Sequence, residues 1–108
     1  MEKVTIKALN SANLRMDNSV DADREYNIAA NVNIDSGSVV NSIDSGNVIK
    51  EGIEIATFNA YSDNNLQINF NNVAASEQCT IITSVNTFIA DVRTKAANGN
   101  MLSNINSI

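Results

Sequence analysis

The sequence predicts an α+β domain: an antiparallel β-meander of about five strands with one long C-terminal helix packed on one face. Three observations carry this. Up to about residue 70, apolar and polar residues alternate with period 2, in runs broken by Asp-, Ser-, Gly- and Asn-rich turns. After Ser76 the apolar spacing changes to three and four. The chain has 108 residues, of which 44% are hydrophobic, the size and composition of one domain able to bury its own core. Residues 1–99 are expected to form that domain, and residues 100–108 a tail or docking arm.

The elements follow in order. Val4-Thr5-Ile6-Lys7-Ala8 alternates and reads as the first strand. Residues 10–24 form a polar stretch containing Asn13, Asp17, Asn18, Ser19, Asp21 and Asp23, expected to be a long loop of the kind that presents a contact surface. From residue 26 the alternation is clean. Tyr26, Ile28, Ala30, Val32 and Ile34 share one face, and Asn27, Ala29, Asn31 and Asn33 the other, so this strand has a buried side and an amide-rich side. It ends at Asp35-Ser36-Gly37. The nine residues beginning at Ile34 are echoed by those beginning at Ile43, with Asp-Ser-Gly in both. Two copies are too few for a solenoid, so they read as a duplicated turn-plus-strand unit, each Asp-Ser-Gly being turn chemistry.

Ile53, Ile55, Phe58 and Tyr61 lead into Asp63-Asn64-Asn65, and Leu66-Gln67-Ile68-Asn69-Phe70 alternates strictly. A three-residue hairpin loop there sets Ala60 opposite Ile68 and Phe58 opposite Phe70, with Asn64 or Asn65 left-handed. Next, Ile82, Val85, Ile89, Val92 and Ala96 form a helical stripe flanked by Ile81 and Phe88. Ser76 is the expected N-cap, Glu77 sits in the first turn, Arg93 and Lys95 lie near the end, and Gly99 is the stop. The β-branched residues of this stretch cost a helix only some tenths of a kcal/mol each, so pattern and caps outweigh propensity. The expected core is Val4, Ile6, Ile28, Val32, Ile55, Phe58, Ile68, Phe70, Ile82, Val85, Ile89 and Val92.

Composition excludes several function classes. The formal net charge is −5, which argues against nucleic acid as a partner, because phosphate binding needs a dense cationic footprint. No apolar run is long enough for a membrane span, and the start of the chain has no apolar core of a signal peptide. Cys79 is the lone cysteine and there is no histidine. That removes intramolecular disulfides, multi-Cys zinc sites and most general-base schemes. Cys79 itself, on the apolar side of the helix start, reads as a small buried hydrophobe. Glu51, Glu54, Arg24 and Glu25 read as surface charge, since no reaction class can be assembled from them. No enzyme, cofactor or essential metal is expected. Asp17, Asp21 and Asp23 lie close in sequence but lack the central glycine and the bidentate glutamate of a calcium loop. Both a solvated loop and a weak divalent-ion site remain open there.

The chain holds 19 Asn and 13 Ile but only 4 Leu. Codon drift in an AT-rich genome accounts for such a bias, and amides suit wet, hydrogen-bonded surfaces. The candidate partner-contact residues are Tyr61, Asn64 and Asn65 at the hairpin tip, and Met101, Leu102, Ile105 and Ile108, which share helical spacing in the tail. Nine tail residues are too few for an isolated helix, so the tail is expected to dock on another chain.

The Asn/Ile-rich strands 26–34 and 66–70, the Asp-Ser-Gly turns and the apolar-spotted tail resemble small accessory virion proteins of tailed bacteriophages, particularly the capsid-auxiliary proteins of crAss-like gut phages. The likeness is one of style over most of the chain and assigns no functional residue. It implies a structural protein bound to a capsid or tail lattice, found in the virion or in the bacterial host cytoplasm during assembly. Its expected partner is a protein, either itself as a homo-oligomer or a lattice subunit. The alternative is a small soluble binding module: a carbohydrate or calcium-assisted binder, or a phage-encoded inhibitor of a host protein. An acidic inhibitor would act as a DNA mimic, for which scattered carboxylates are poorly arranged.

Overall fold

Five antiparallel strands pair in the order β1-β2-β3-β4-β5, a meander, and one helix follows them. The computed structural model describes residues 11–35, 39–61 and 65–97. The strands are β1 Ser11–Asp17, β2 Asn27–Asp35, β3 Val40–Lys50, β4 Ile53–Ala60 and β5 Leu66–Phe70; the helix α1 is Ala75–Ala97. The fold class is therefore the expected one. The expected strand at residues 4–8, with Val4 and Ile6, lies outside the described residues, as do Asn64, Gly99 and the whole tail.

The first strand of the sheet comes from the stretch expected to be a loop. Leu14 and Met16 are half-buried and Asn13, Arg15 and Asp17 exposed, which is period-2 alternation on an edge strand. Its polar composition masked that signal. β1 pairs with β2 in unbroken register, Leu14 with Val32 and Met16 with Ala30. The connecting loop is thus only residues 18–26. Tyr26, just before β2, and the four apolar residues that alternate after it on the strand are all buried, as the pattern requires.

The second Asp-Ser-Gly is no turn. It lies inside β3, where Ile43 pairs with Ala60 and Gly46 with Phe58, so β3 carries one extra residue, a β-bulge. Ser45 takes up the bulge with φ 49. Gly46 lies under the Phe58 ring, where a Cβ would come within 2.5 Å of the ring edge, so only glycine leaves room there. The true β3–β4 turn is Glu51-Gly52, with φ 53 and 80. Two successive positive φ values match the twist of a two-residue hairpin.

The β4–β5 register is two residues away from the one expected. Ala60 pairs with Leu66, Phe58 with Ile68 and Ala56 with Phe70. The loop is five residues, closed by the Tyr61 N–H donating to the Asn65 carbonyl at 3.1 Å. A slip of two preserves which face each residue occupies, so hydrophobic pattern alone could not distinguish the two registers.

α1 begins one residue before the expected N-cap. The Ala74 carbonyl accepts from Glu77 and Gln78 N–H at 3.0 Å each, so Ser76 sits within the first turn. The buried stripe is Ile81, Val85, Phe88, Ile89, Val92 and Ala96. Ile81 is in the core and Ile82 is exposed, the reverse of the expected order. Cys79 is also exposed, not a buried hydrophobe. One face of the helix thus turns about one position towards Ile81 and Phe88, because Phe88 packs edge-on against Phe58 with centroids 6.1 Å apart. Ile55, Ile68 and Phe70 are half-buried and pack around the core rather than within it.

The sheet face away from this core holds the amides, and several of them are spent inside the fold. The bulge leaves Ser45 without regular ladder partners. Its N–H donates to Asn59 Oδ1 at 3.1 Å and its carbonyl accepts from Arg15 Nη1 at 2.9 Å. Arg15 also donates to Asn31 Oδ1 at 3.2 Å and Asn47 Oδ1 at 2.9 Å, tying the edge strand across β2 to β3. Asn33 Nδ2 donates to Ser42 Oγ at 2.7 Å and Asp44 Oδ2 at 3.1 Å.

Candidate functional site

The loop between β1 and β2 is short, polar and internally braced. Asn18 replaces a ladder pair: its N–H donates to the Ile28 carbonyl at 3.1 Å. Its side chain accepts from Ile28 N–H and donates to the Tyr26 carbonyl, each at 2.9 Å. Arg24 is the loop's staple, its Nε donating to Asn27 Oδ1 at 2.6 Å and its Nη1 to the Ser19 and Asp21 carbonyls at 3.1 and 2.8 Å.

The aspartates singled out in the sequence do local work. Asp17 accepts from both the hydroxyl and the N–H of Ser19, at 2.6 and 3.0 Å. These two bonds hold its carboxyl below the usual carboxylate range. Ser19–Asp17 has the composition of a nucleophile and base, but a carboxylate made more acidic is a weaker base. Asp21 accepts from Asp23 N–H at 3.0 Å. Arg24 already donates to the Ser19 and Asp21 carbonyls beside these aspartates. Among the described residues, no three His, Cys, Asp or Glu converge as metal ligands.

Facing this loop is the helix. Together they bound a groove of about 610 Å³, floored by Met16, Tyr26, Ile28, Phe88 and Val92. Its rim carries five carboxylates, those of Asp17, Asp21, Asp23, Glu25 and Asp91, against Arg24 and Lys95. Thr83 and Thr87 line the helical wall. Their hydroxyls donate to the carbonyls four residues back, at 3.2 and 3.0 Å, so they present acceptor lone pairs to the groove. An apolar floor under an acidic rim suits a cationic, amphipathic ligand.

Beside the groove, the helix start is clamped to the sheet. Glu77 Oε2 accepts from Lys50 Nζ at 2.7 Å and from the Tyr26 hydroxyl at 3.1 Å. These bonds lower the Glu77 pKa, and the Glu77 bond raises that of Lys50. Burial first, then the bond to Glu77, raises that of Tyr26.

Of the sequence-predicted contact residues, Tyr61 and Asn65 are exposed at the β4–β5 loop. Asn64, Met101, Leu102, Ile105 and Ile108 lie outside the described residues. Three exposed apolar residues escaped the sequence reading. Val20 is 91% exposed in the β1–β2 loop, Val39 56% beside the β2–β3 connection and Ile53 63% at the β3–β4 turn; Tyr61, at the β4–β5 loop, is 51% exposed. Each of the four strand connections thus carries one large apolar side chain in solvent. The meander places Val39 and Tyr61 at one end of the sheet and Val20 and Ile53 at the other. A search for breaks in polar loops, rather than for apolar stripes, would have found them.

No protein-family model, curated protein or solved structure matches this chain. Among the described residues, no helix is long and apolar enough to cross a membrane.

Proposed function

We propose that this protein is a non-enzymatic interaction subunit that works in many copies, as an accessory component of a phage capsid or tail. The observation that carries the multi-copy part is the distribution of the exposed apolar side chains at the strand connections, two at each end of the sheet, with Ile82 on the helix as the fifth exposed one among the described residues. A subunit with distinct contacts at opposite ends associates head to tail, and such heterologous contacts build rings or filaments. Support for the non-enzymatic part comes from the polar side chains, whose hydrogen bonds brace the bulge, the β1–β2 loop and the helix start. The phage component rests on the resemblance in style of the strands, turns and tail. In this reading Tyr61 is a contact residue, and the tail residues Met101, Leu102, Ile105 and Ile108 supply a second, separate anchor.

The test is quantitative mass spectrometry of density-purified phage particles from an infection in which the chain is expressed. Many copies per particle are expected. A chain abundant in the lysate but absent from the particles overturns the phage assignment.

A further inference from the structure

We infer that the acidic groove between the β1–β2 loop and α1 receives the basic N-terminal segment, residues 1–8, of a second copy of this chain. The inference rests on the multi-copy reading and deepens it by naming the contact.

The charge distribution selects the occupant. Five of the chain's 12 acidic residues line this one groove. Among the described residues, no cation pairs with Asp23, Glu25 or Asp91. The chain has seven cations, and most are already engaged. Arg15 is held in the bulge network, Arg24 in its own loop and Lys50 on Glu77; Arg93 has a partner as well. Lys95 is on the groove itself. The two cations outside the described residues are Lys3 and Lys7, in a segment whose Val4 and Ile6 alternate with them and whose single acidic residue is Glu2. In an extended chain the two lysines fall on one side and the two apolar residues on the other. That is the chemistry of the groove: carboxylates at the rim, an apolar floor.

The placement of the two ends favours the segment of a second copy. Residues 1–10 lead into Ser11, which pairs with Asp35 at one end of the sheet. The groove lies at the opposite end, beyond Asp17, which pairs with Ala29. An arm leaving one end and a receptor at the other make copies stack head to tail. The same two ends carry the exposed pairs Val39/Tyr61 and Val20/Ile53. Ten extended residues span up to about 33 Å, enough to cross such a junction.

Sedimentation velocity of the full chain at low salt tests this with charge reversals. Lys3→Glu with Lys7→Glu should weaken self-association about tenfold or more. Asp23→Lys with Asp91→Lys should do the same; neither carboxylate braces the fold. An equimolar mixture of the two variants should regain assembly, because each arm then meets an opposite charge in the other's groove. Far-UV circular dichroism checks that both variants fold; the lysine variant alone suffices if the aspartate variant does not. If wild type assembles and the lysine reversals change nothing, the arm is refuted while the multi-copy reading stands. If wild type is a monomer throughout, the arm and head-to-tail self-association are both refuted, including the case in which the arm fills the groove of its own chain.

Discussion

Gly46→Ala puts the packing logic of the bulge to a quantitative test. A Cβ built on Gly46 lies 2.5 Å from Phe58 Cζ and 2.6 Å from both Cε atoms. Ordinary carbon contacts need about 3.5–4.0 Å, so the ring must retreat by about 1 Å. Phe58 has nowhere easy to go, being fully buried and edge-on to Phe88. Overpacking of this kind costs about 1–3 kcal/mol. Replacing glycine also stiffens the unfolded chain, which returns about 0.4–1 kcal/mol where the backbone is compatible. The net expectation is a loss of about 1–2 kcal/mol, with Tm falling about 4–8 °C for each kcal/mol. Urea unfolding followed by far-UV circular dichroism, at fixed protein concentration, measures it. The same substitution in a Phe58→Leu background, where the ring is gone, should be neutral or stabilising. Equal costs in both backgrounds, or stabilisation by Gly46→Ala alone, would refute the close approach of ring and backbone.

Two further outcomes follow from the helix. Glu77 has its pKa lowered by Lys50 and Tyr26, so its contribution is present above the unfolded carboxylate pKa and lost as pH falls through the lower folded value. Glu77→Gln should therefore flatten the decline of stability below about pH 4, measured as urea midpoint against pH; an unchanged acid limb would contradict the clamp. Ile81→Ala should cost about 2–5 kcal/mol because Ile81 is fully buried, whereas Ile82→Ala, on the exposed side, should stay within about 0.5–1 kcal/mol. Equal losses at the two positions would show the helix face wrongly assigned.

Much of this fold is legible in the sequence where one physical signal dominates. The alternation from Tyr26 to Ile34 reports β2, because one side of that strand is buried and the other solvated. The change of period after Ser76 reports the helix despite its β-branched residues. The missed features are those where two signals compete. β1 alternates weakly, since an edge strand needs few apolar residues, and its aspartates and asparagines read as a loop. Asp44-Ser45-Gly46 has turn chemistry but sits opposite Phe58, and tertiary packing turned it into a bulge. Ile81 and Ile82 fit adjacent helical stripes equally well; the Phe58–Phe88 contact decides between them. The groove was half legible. Its acidic loop shows in the sequence as a set of aspartates, but the helical wall that makes it a groove is about sixty residues away. The four exposed apolar residues at the strand connections fall outside any periodic pattern, and only topology reveals that they divide between two ends.

The most direct test of the central claim is the solution mass of the full-length, untagged chain, followed by light scattering over a wide concentration range. Head-to-tail association through the sheet ends predicts species at multiples of 11.6 kDa that grow with concentration and shrink when Tyr61 or Val20 is replaced by aspartate. A constant mass of 11.6 kDa at every concentration would contradict self-assembly.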